Sequence, residues 1–238
     1  MKNATRLILI LTLLFQASCS SQILDYDKTT EFGQFKYSKN DLDTIDDLIK
    51  VCKDNLPGIS TELNLKTDKS IVIEVYPNQE VYNENIINPD FKNSPAISGN
   101  GKIQIVSPHA KIRIDSLKYD ERLMLLVHEY IHILIDKLDS PPPTFIDEGI
   151  ASYYSSNNFY KSSAKKYVKR IGFIPTIEQL QNHYNKLPAP DLFSFLFIDF
   201  LVQSKGKSII GEILRSHEFN SGSDMNETWK KYITDNYY

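Results

Sequence analysis

The sequence predicts an α+β fold. Two β-branched runs, residues 71–76 and 102–106, lie in the first half of the 238-residue chain. From about residue 116 onward, apolar residues recur at helical spacing instead. Strands first and helices afterwards is the order of an α+β domain, whereas a parallel α/β fold would alternate them.

The elements follow in order. Residues 32–37 form the expected first strand. Ser38 or Asn40 can cap a helix whose apolar positions Leu42, Ile45, Leu48, Ile49 and Cys52 recur three and four residues apart. Asn-Leu-Pro-Gly at 55–58 is its expected end, because proline lacks an N–H and clashes with the preceding turn. The 71–76 strand stops at Pro77, and the 102–106 strand alternates Ile103 and Ile105 on one face before Pro108. Between them, residues 83–101 are rich in Asn, Pro, Ser and Gly and read as a surface loop. Residues 119–138 are apolar on nearly all sides, the pattern of a buried helix. Pro141–Pro143 forces an extended connection. Thr144 with Asp147, and Thr176 with Gln179, resemble capping boxes opening the next two helices. Residues 192–204 form another apolar helix closed by Gly206, and 208–215 and 225–233 two short ones.

The N-terminus has the layout of an export signal: Lys2 and Arg6, an apolar run over 7–15, then small residues near 17–21. That run is too short to span a bilayer. Gln-Ala-Ser-Cys at 16–19 resembles a bacterial lipobox, with Gln16 in place of the usual aliphatic residue. On that reading residues 1–18 are removed and Cys19 is lipidated; the alternative is an ordinary signal cut after Ser20. Residues 19–31 would then be a mostly polar tether, and the domain would run from 32 to 236. Without the leader, 25 basic side chains face 30 acidic ones. The local basic cluster, Lys161, Lys165, Lys166, Lys169 and Arg170, fits a solvated helix face, so nothing points to nucleic acid. Cys52, with no partner once Cys19 is lipidated, reads as a buried structural thiol.

His128-Glu129-Tyr130-Ile131-His132 is an HExxH pattern. Residues four apart share a helix face, so both imidazoles can converge on one ion. Glu129 is rotated by one step of the turn and can act as base on a metal-activated water. Burying two histidines and a glutamate without partners would cost several kcal/mol, on the order of the penalty for unpaired polar groups, and a metal removes most of it. A catalytic ion needs a third protein ligand and an open fourth position. The Asp147-Glu148-Gly149-Ile150-Ala151 segment supplies two acids, of which one can face the ion.

Here the chain resembles the gluzincin zinc metallopeptidases, most closely the small peptidase-MA-like members. That family carries Glu in a Trp-x-x-Glu-Gly-x-Ala setting on a second helix, and residues 145–151 match with Phe145 at the Trp position. The resemblance implies one Zn2+ held by His128, His132 and Glu148, Glu129 as the base, and Asp147 serving the helix N-terminus. It implies a thermolysin-like fold, with a strand and helix layer whose edge strand lies over the cleft, and it assigns that edge role to residues 101–106. Fifteen residues separate His132 from Glu148, fewer than in large members. In the aminopeptidase branch a Tyr stabilises the oxyanion, but counting back from Gly206 reaches Asp191. Tyr153, Tyr154, His183 and Tyr184 remain candidates for that hydrogen bond. The implied function is hydrolysis of peptide bonds in a peptide or protein substrate by an exported, membrane-attached lipoprotein. The alternative is a catalytically degenerate zinc- or peptide-binding module of the cell envelope.

Overall fold

The computed structural model describes residues 24–111, 117–155, 157–216 and 223–238. The leader 1–18, Cys19 and the start of the tether lie outside them. An α+β fold is present: a five-stranded mixed sheet precedes a largely helical half.

The strands are β1 (Tyr26–Thr30), β2 (Gly33–Tyr37), β3 (Val72–Tyr76), β4 (Ala96–Gly99) and β5 (Lys102–Val106). Their order across the sheet is β1-β2-β3-β5-β4, with β2, β3 and β5 parallel and the outer two antiparallel to their neighbours. Three sequence expectations change here. Residues 26–30, taken for tether, form β1, whose Lys28 also pairs with Asp46 at 2.6 Å. The strand's side chains are mostly exposed, so burial periodicity gave no sign of it. Within the expected loop 83–101 lie the end of a helix and strand β4, only four residues long. And β5 is interior, paired on both sides, so the edge next to the cleft is β4 rather than 101–106.

Helix α1 (Leu42–Leu63) runs past Pro57 instead of ending there. Pro57 and Gly58 sit on the solvent face, while Leu56, Ile59 and Leu63 continue the stripe begun by Ile45, Leu48, Ile49 and Cys52. Proline deprives Lys53 of a hydrogen bond to its carbonyl, but Lys53 is exposed to water, and the apolar stripe outweighs that loss. The helix ends at Asn64, left-handed at φ 55°, whose N–H reaches Ser60 and Thr61 carbonyls. Cys52 is a free, fully buried thiol, and burial pushes its pKa up to about 12.

One face of the sheet, through Phe35, Ile73, Val75, Ile103 and Ile105, packs on α1 and on α3 (Tyr119–Ile135). The other is partly covered by α2 (Gln79–Asn85) and carries a polar network. There Gln104 Nε2 donates to Glu74 Oε2 at 2.8 Å and to Asn85 O at 3.0 Å, and Lys102 Nζ donates to Glu74 Oε1 at 2.9 Å. Burial alone would raise the Glu74 pKa, but these donors, with the Tyr76 hydroxyl, hold it below the ordinary carboxylate value.

The helical half comprises α3, α4 (Thr144–Ser155), α5 (Asn157–Ile171), α6 (Ile177–His183), α7 (Pro190–Lys205), α8 (Ser208–Ser216) and α9 (Ser223–Tyr237). The expected box at Thr176 and Gln179 is present, with Gln179 N donating to Thr176 Oγ1 at 3.1 Å and Thr176 N to Gln179 Oε1 at 2.8 Å. At α4, in contrast, Thr144 is already helical, Pro143 O accepts the first amides, and the Asp147 side chain turns elsewhere. The basic side chains of α5 are exposed as expected, with Lys161 reaching Asp199 Oδ1 at 3.1 Å. Helix α7 is the hub: every residue from 192 to 201 is buried. Helix α9 closes over it, with Trp229 Nε1 donating to Pro175 O and the Tyr232 hydroxyl to Asp199 Oδ2. No helix among the described residues is long and apolar enough to cross a membrane.

Gly149 is where α4 crosses α7. A Cβ there would lie 2.6 Å from Ser194 O and 2.7 Å from Ile198 Cγ1, both parts of a packed helix. Gly149→Ala is therefore expected to push the two helices apart and lower stability by about 1–3 kcal/mol, the usual cost of overpacking. Chemical denaturation of wild type and variant measures it.

Candidate metal centre

Helix α3 shows solvent only one stripe over its last four turns. Its partly exposed positions are Glu121, Met124, Leu125, His128, Glu129 and His132, which repeat at three and four residues and share one face. Leu126, Val127, Tyr130, Ile131 and Ile133 to Ile135 are buried on the others. The motif's polar residues therefore occupy the one face that is not fully buried. Arg122, at the helix start, fixes its approach by donating to the carbonyls of Pro108, Ala110 and Leu117.

His128 Nε2 and His132 Nε2 lie 3.1 Å apart. Glu148 Oε2, from α4, lies 3.4 Å from the first and 3.6 Å from the second. Their partners decide which ring nitrogens carry hydrogen. Ser155 Oγ donates to Ala151 O at 2.7 Å, so toward His128 Nδ1, at 3.2 Å, it acts as acceptor. Asp147 Oδ1 accepts from His132 Nδ1 at 2.8 Å. In neutral rings both Nε2 lone pairs then point, with a carboxylate oxygen, at one shared space. Three electron-pair donors at such distances repel unless a cation lies between them. The side chains are 17%, 13% and 30% exposed, too little for water to serve them all.

The donor set fits a transition metal. A point equidistant from the three atoms lies about 2 Å from each, the bond length of such an ion to imidazole nitrogen or carboxylate oxygen. The three atoms make one face of a tetrahedron and leave the fourth corner open. Among the described residues these three form the group able to hold a metal ion. Without an ion, a proton takes its place. Burial alone would depress the His132 pKa, but hydrogen bonds to Asp147 and Glu148 outweigh it and raise it well above the ordinary imidazole value. Glu148, which burial alone would raise, is lowered by the same two histidines.

The remaining expected residues separate into near and far. Glu129 Oε2 accepts from Ser98 Oγ of β4 at 2.7 Å, so the edge strand and the HExxH helix meet at this carboxylate. Tyr154 donates to Glu62 on α1 at 2.9 Å, and Tyr153 stacks on Phe195. His183 is exposed at the end of α6. Tyr184 differs: its hydroxyl donates to Asp191 Oδ1 at 2.5 Å and lies within the electrostatic reach of Glu148. Burial pushes that hydroxyl's pKa far up, so it is a proton donor at any ordinary pH. Of the four oxyanion candidates, Tyr184 is the one bonded to the start of α7.

Asp147, Ser155 and Ser98 have roles the sequence reading did not assign. Asp147 stands in the first turn of its helix, as expected, and its Oδ1 also accepts from His132 Nδ1, as carboxylates behind metal-bound histidine do. Ser155 lies seven residues past Glu148, two turns along the same face, so its place was visible in the periodicity of α4. Ser98 precedes the motif by 31 residues on a strand too short for its pattern to be read. No protein-family model matches the chain, and no curated protein matches it.

Two outcomes follow from this geometry. Equilibrated with a divalent transition metal, the chain is expected to bind one ion; His132→Ala should abolish that binding, and Asp147→Asn weaken it about 10–100-fold. Because the His132 pKa is raised, the metal-free site keeps its proton at neutral pH, and the ion must displace it. Affinity should therefore fall as pH falls, by about tenfold per unit for each proton displaced. Competition with a chromophoric chelator at about pH 6 and pH 8 measures both effects. An affinity independent of pH would show that no ligand proton is displaced.

Proposed function

We propose that this chain is a zinc-dependent peptidase of the gluzincin type, with a thermolysin-like catalytic domain, exported and held to a bacterial membrane by lipid on Cys19. The observation carrying this reading is the convergence of three bare electron pairs beside a glutamate that points elsewhere. His128, His132 and Glu148 would hold the ion, with Glu129 one residue from the first ligand. Zinc, when bound in such a set, supplies Lewis acidity that polarises a carbonyl and acidifies water.

The chain's own residues do the rest. Glu129 takes the water's proton and returns it to the leaving amine; Ser98 steadies the carboxylate by donating to Oε2 and leaves Oε1 for the proton. Tyr184, held by Asp191, is the candidate donor to the oxyanion. Strand β4 is the sheet edge nearest this carboxylate, and an extended peptide laid along it would gain main-chain hydrogen bonds with little demand on sequence.

The base and the ligands separate in a direct test. Glu129→Gln should keep its zinc while peptide hydrolysis falls about 10²–10⁴-fold, the range general-base catalysis contributes; Glu148→Gln should instead lose metal affinity. Ser98→Ala should lower kcat more than it raises KM, because it frees the base without touching the metal. Equal cleavage by wild type and Glu129→Gln would point to a contaminating protease. Failure of zinc-loaded wild type to cleave any member of a peptide library would favour the binding module.

The anchor is tested separately. Two or more acyl chains hold a protein stably to a bilayer where one does not. Mass spectrometry of the mature N-terminus in a bacterial host should find diacylglycerol on Cys19. An unmodified N-terminus at Ser21 would establish the ordinary signal cut.

A further inference from the structure

A concavity lies between α5 and the start of α7. It measures about 200 Å³ and is lined by Phe159, Tyr160, Ser163, Tyr167 and Asp191. That is below the size of a pocket for a drug-sized ligand and suits a single side chain. Its wall is joined to the helix bearing Glu148: Tyr160 stacks on Phe195, on which Tyr153 of α4 also stacks, and Asp191 accepts from Tyr184.

The walls are fixed before any ligand arrives. Tyr160 stacks on Phe195 of the α7 hub at 5.1 Å between centroids. Asp191 follows Pro188-Ala189-Pro190, in which Ala189 is held left-handed at φ 51° between two prolines of fixed φ. Non-glycine residues in that conformation persist where the surroundings over-determine them, often beside functional sites. Asp191 also stands in the first turn of α7, where the helix dipole favours its negative charge. Tyr184 donates to Asp191 Oδ1, and the exposed Asp191 side chain lines the pocket.

Three aromatic rings and one carboxylate, with no basic residue in the lining, form the environment of a cation. One ring already receives one: the Arg170 guanidinium lies 4.6 Å over Tyr167. We infer that this pocket is a specificity subsite of the proposed peptidase and receives the lysine or arginine side chain of a bound peptide, paired with the Asp191 carboxylate. The inference rests on the peptidase reading for its substrate, and on the pocket alone for its charge preference.

The test uses peptide pairs differing only by arginine or citrulline, which match in size and differ in charge, with the exchanged residue moved along the sequence. Binding to the zinc-loaded mature Glu129→Gln chain is measured by calorimetry, and cleavage by zinc-loaded wild type in parallel. At one position the arginine peptide should bind about tenfold tighter, the scale of a partly exposed cation with aromatic and carboxylate partners. Asp191→Asn should bring that ratio close to one, as should high salt. Equal affinities at every position, binding of neither peptide, or a ratio unchanged by Asp191→Asn overturns the subsite. Equal and efficient cleavage of both peptides removes the subsite while leaving the peptidase standing. An arginine preference in binding without any cleavage removes the peptidase and keeps a cation-reading pocket.

Discussion

Three electron-pair donors from two helices share one small space, and most of the helical half is arranged to keep them there. The constraint is electrostatic. Two neutral imidazoles with their hydrogens committed outward, to Ser155 and Asp147, present only lone pairs inward, toward Glu148. Such a cluster is unfavourable alone and favourable around a cation, so its ligands cost stability until a proton or an ion arrives. Hydrogen bonds that look like ordinary packing thereby decide what the site can bind. A serine and an aspartate beside the cluster set the tautomers, and those tautomers suit the three atoms to holding a metal ion.

Helix α4, which bears Glu148, is set against α7 by sterics. Gly149 directly follows Glu148 and is the contact between α4 and α7. A larger residue would shift the carboxylate with the helix. Helix α7 can serve as a fixed wall because it is buried along its middle and tied to α9 and α5 through Asp199, which accepts from Tyr232 and Tyr237 and pairs with Lys161. A buried aspartate with three partners adds little net stability by itself, but removing one partner is costly, and that asymmetry fixes the arrangement. The apolar bulk of α7 and the small residue of α4 thus solve one problem jointly: bringing a carboxylate within ligand distance of a helix that runs elsewhere in the core.

What the sequence disclosed follows from which interactions are local. The HExxH spacing, the Glu148 helix, the Thr176 box and the Gly206 stop are each determined within a few residues, and each is where the pattern put it. Pro57 misled because the rule about proline is local while the stripe of Leu56, Ile59 and Leu63 answers to the whole core. Strands β1 and β4 escaped for a related reason. They are edge strands, four and five residues long, and what holds them is pairing with β2 and β5, which no window of the sequence contains. Asp147 sits in the first turn of its helix as its sequence position implies, but its bond to His132 depends on a second helix across the gap, which no local window contains. The three residues that the structure brings together were legible; the partners at the two histidines' Nδ1 atoms were not.

The same division bears on how the centre and the base differ. The two histidines are each held twice, by their own helix and by a partner at Nδ1, Ser155 or Asp147. Glu129 is held by its helix and by one hydroxyl on a sheet edge. An edge strand is the least constrained part of a sheet, since one side of its backbone pairs with nothing in the sheet. A peptide added along β4 would pair that free side and stiffen the strand carrying Ser98. Binding at the edge would then order the base as well as the substrate, while a metal site fixed independently stays unchanged. A rigid ligand set joined to a base steadied from the edge strand makes the position of Glu129 depend on what lies along β4, and only this strand, the latest of the site's parts to be visible from sequence, has that reach.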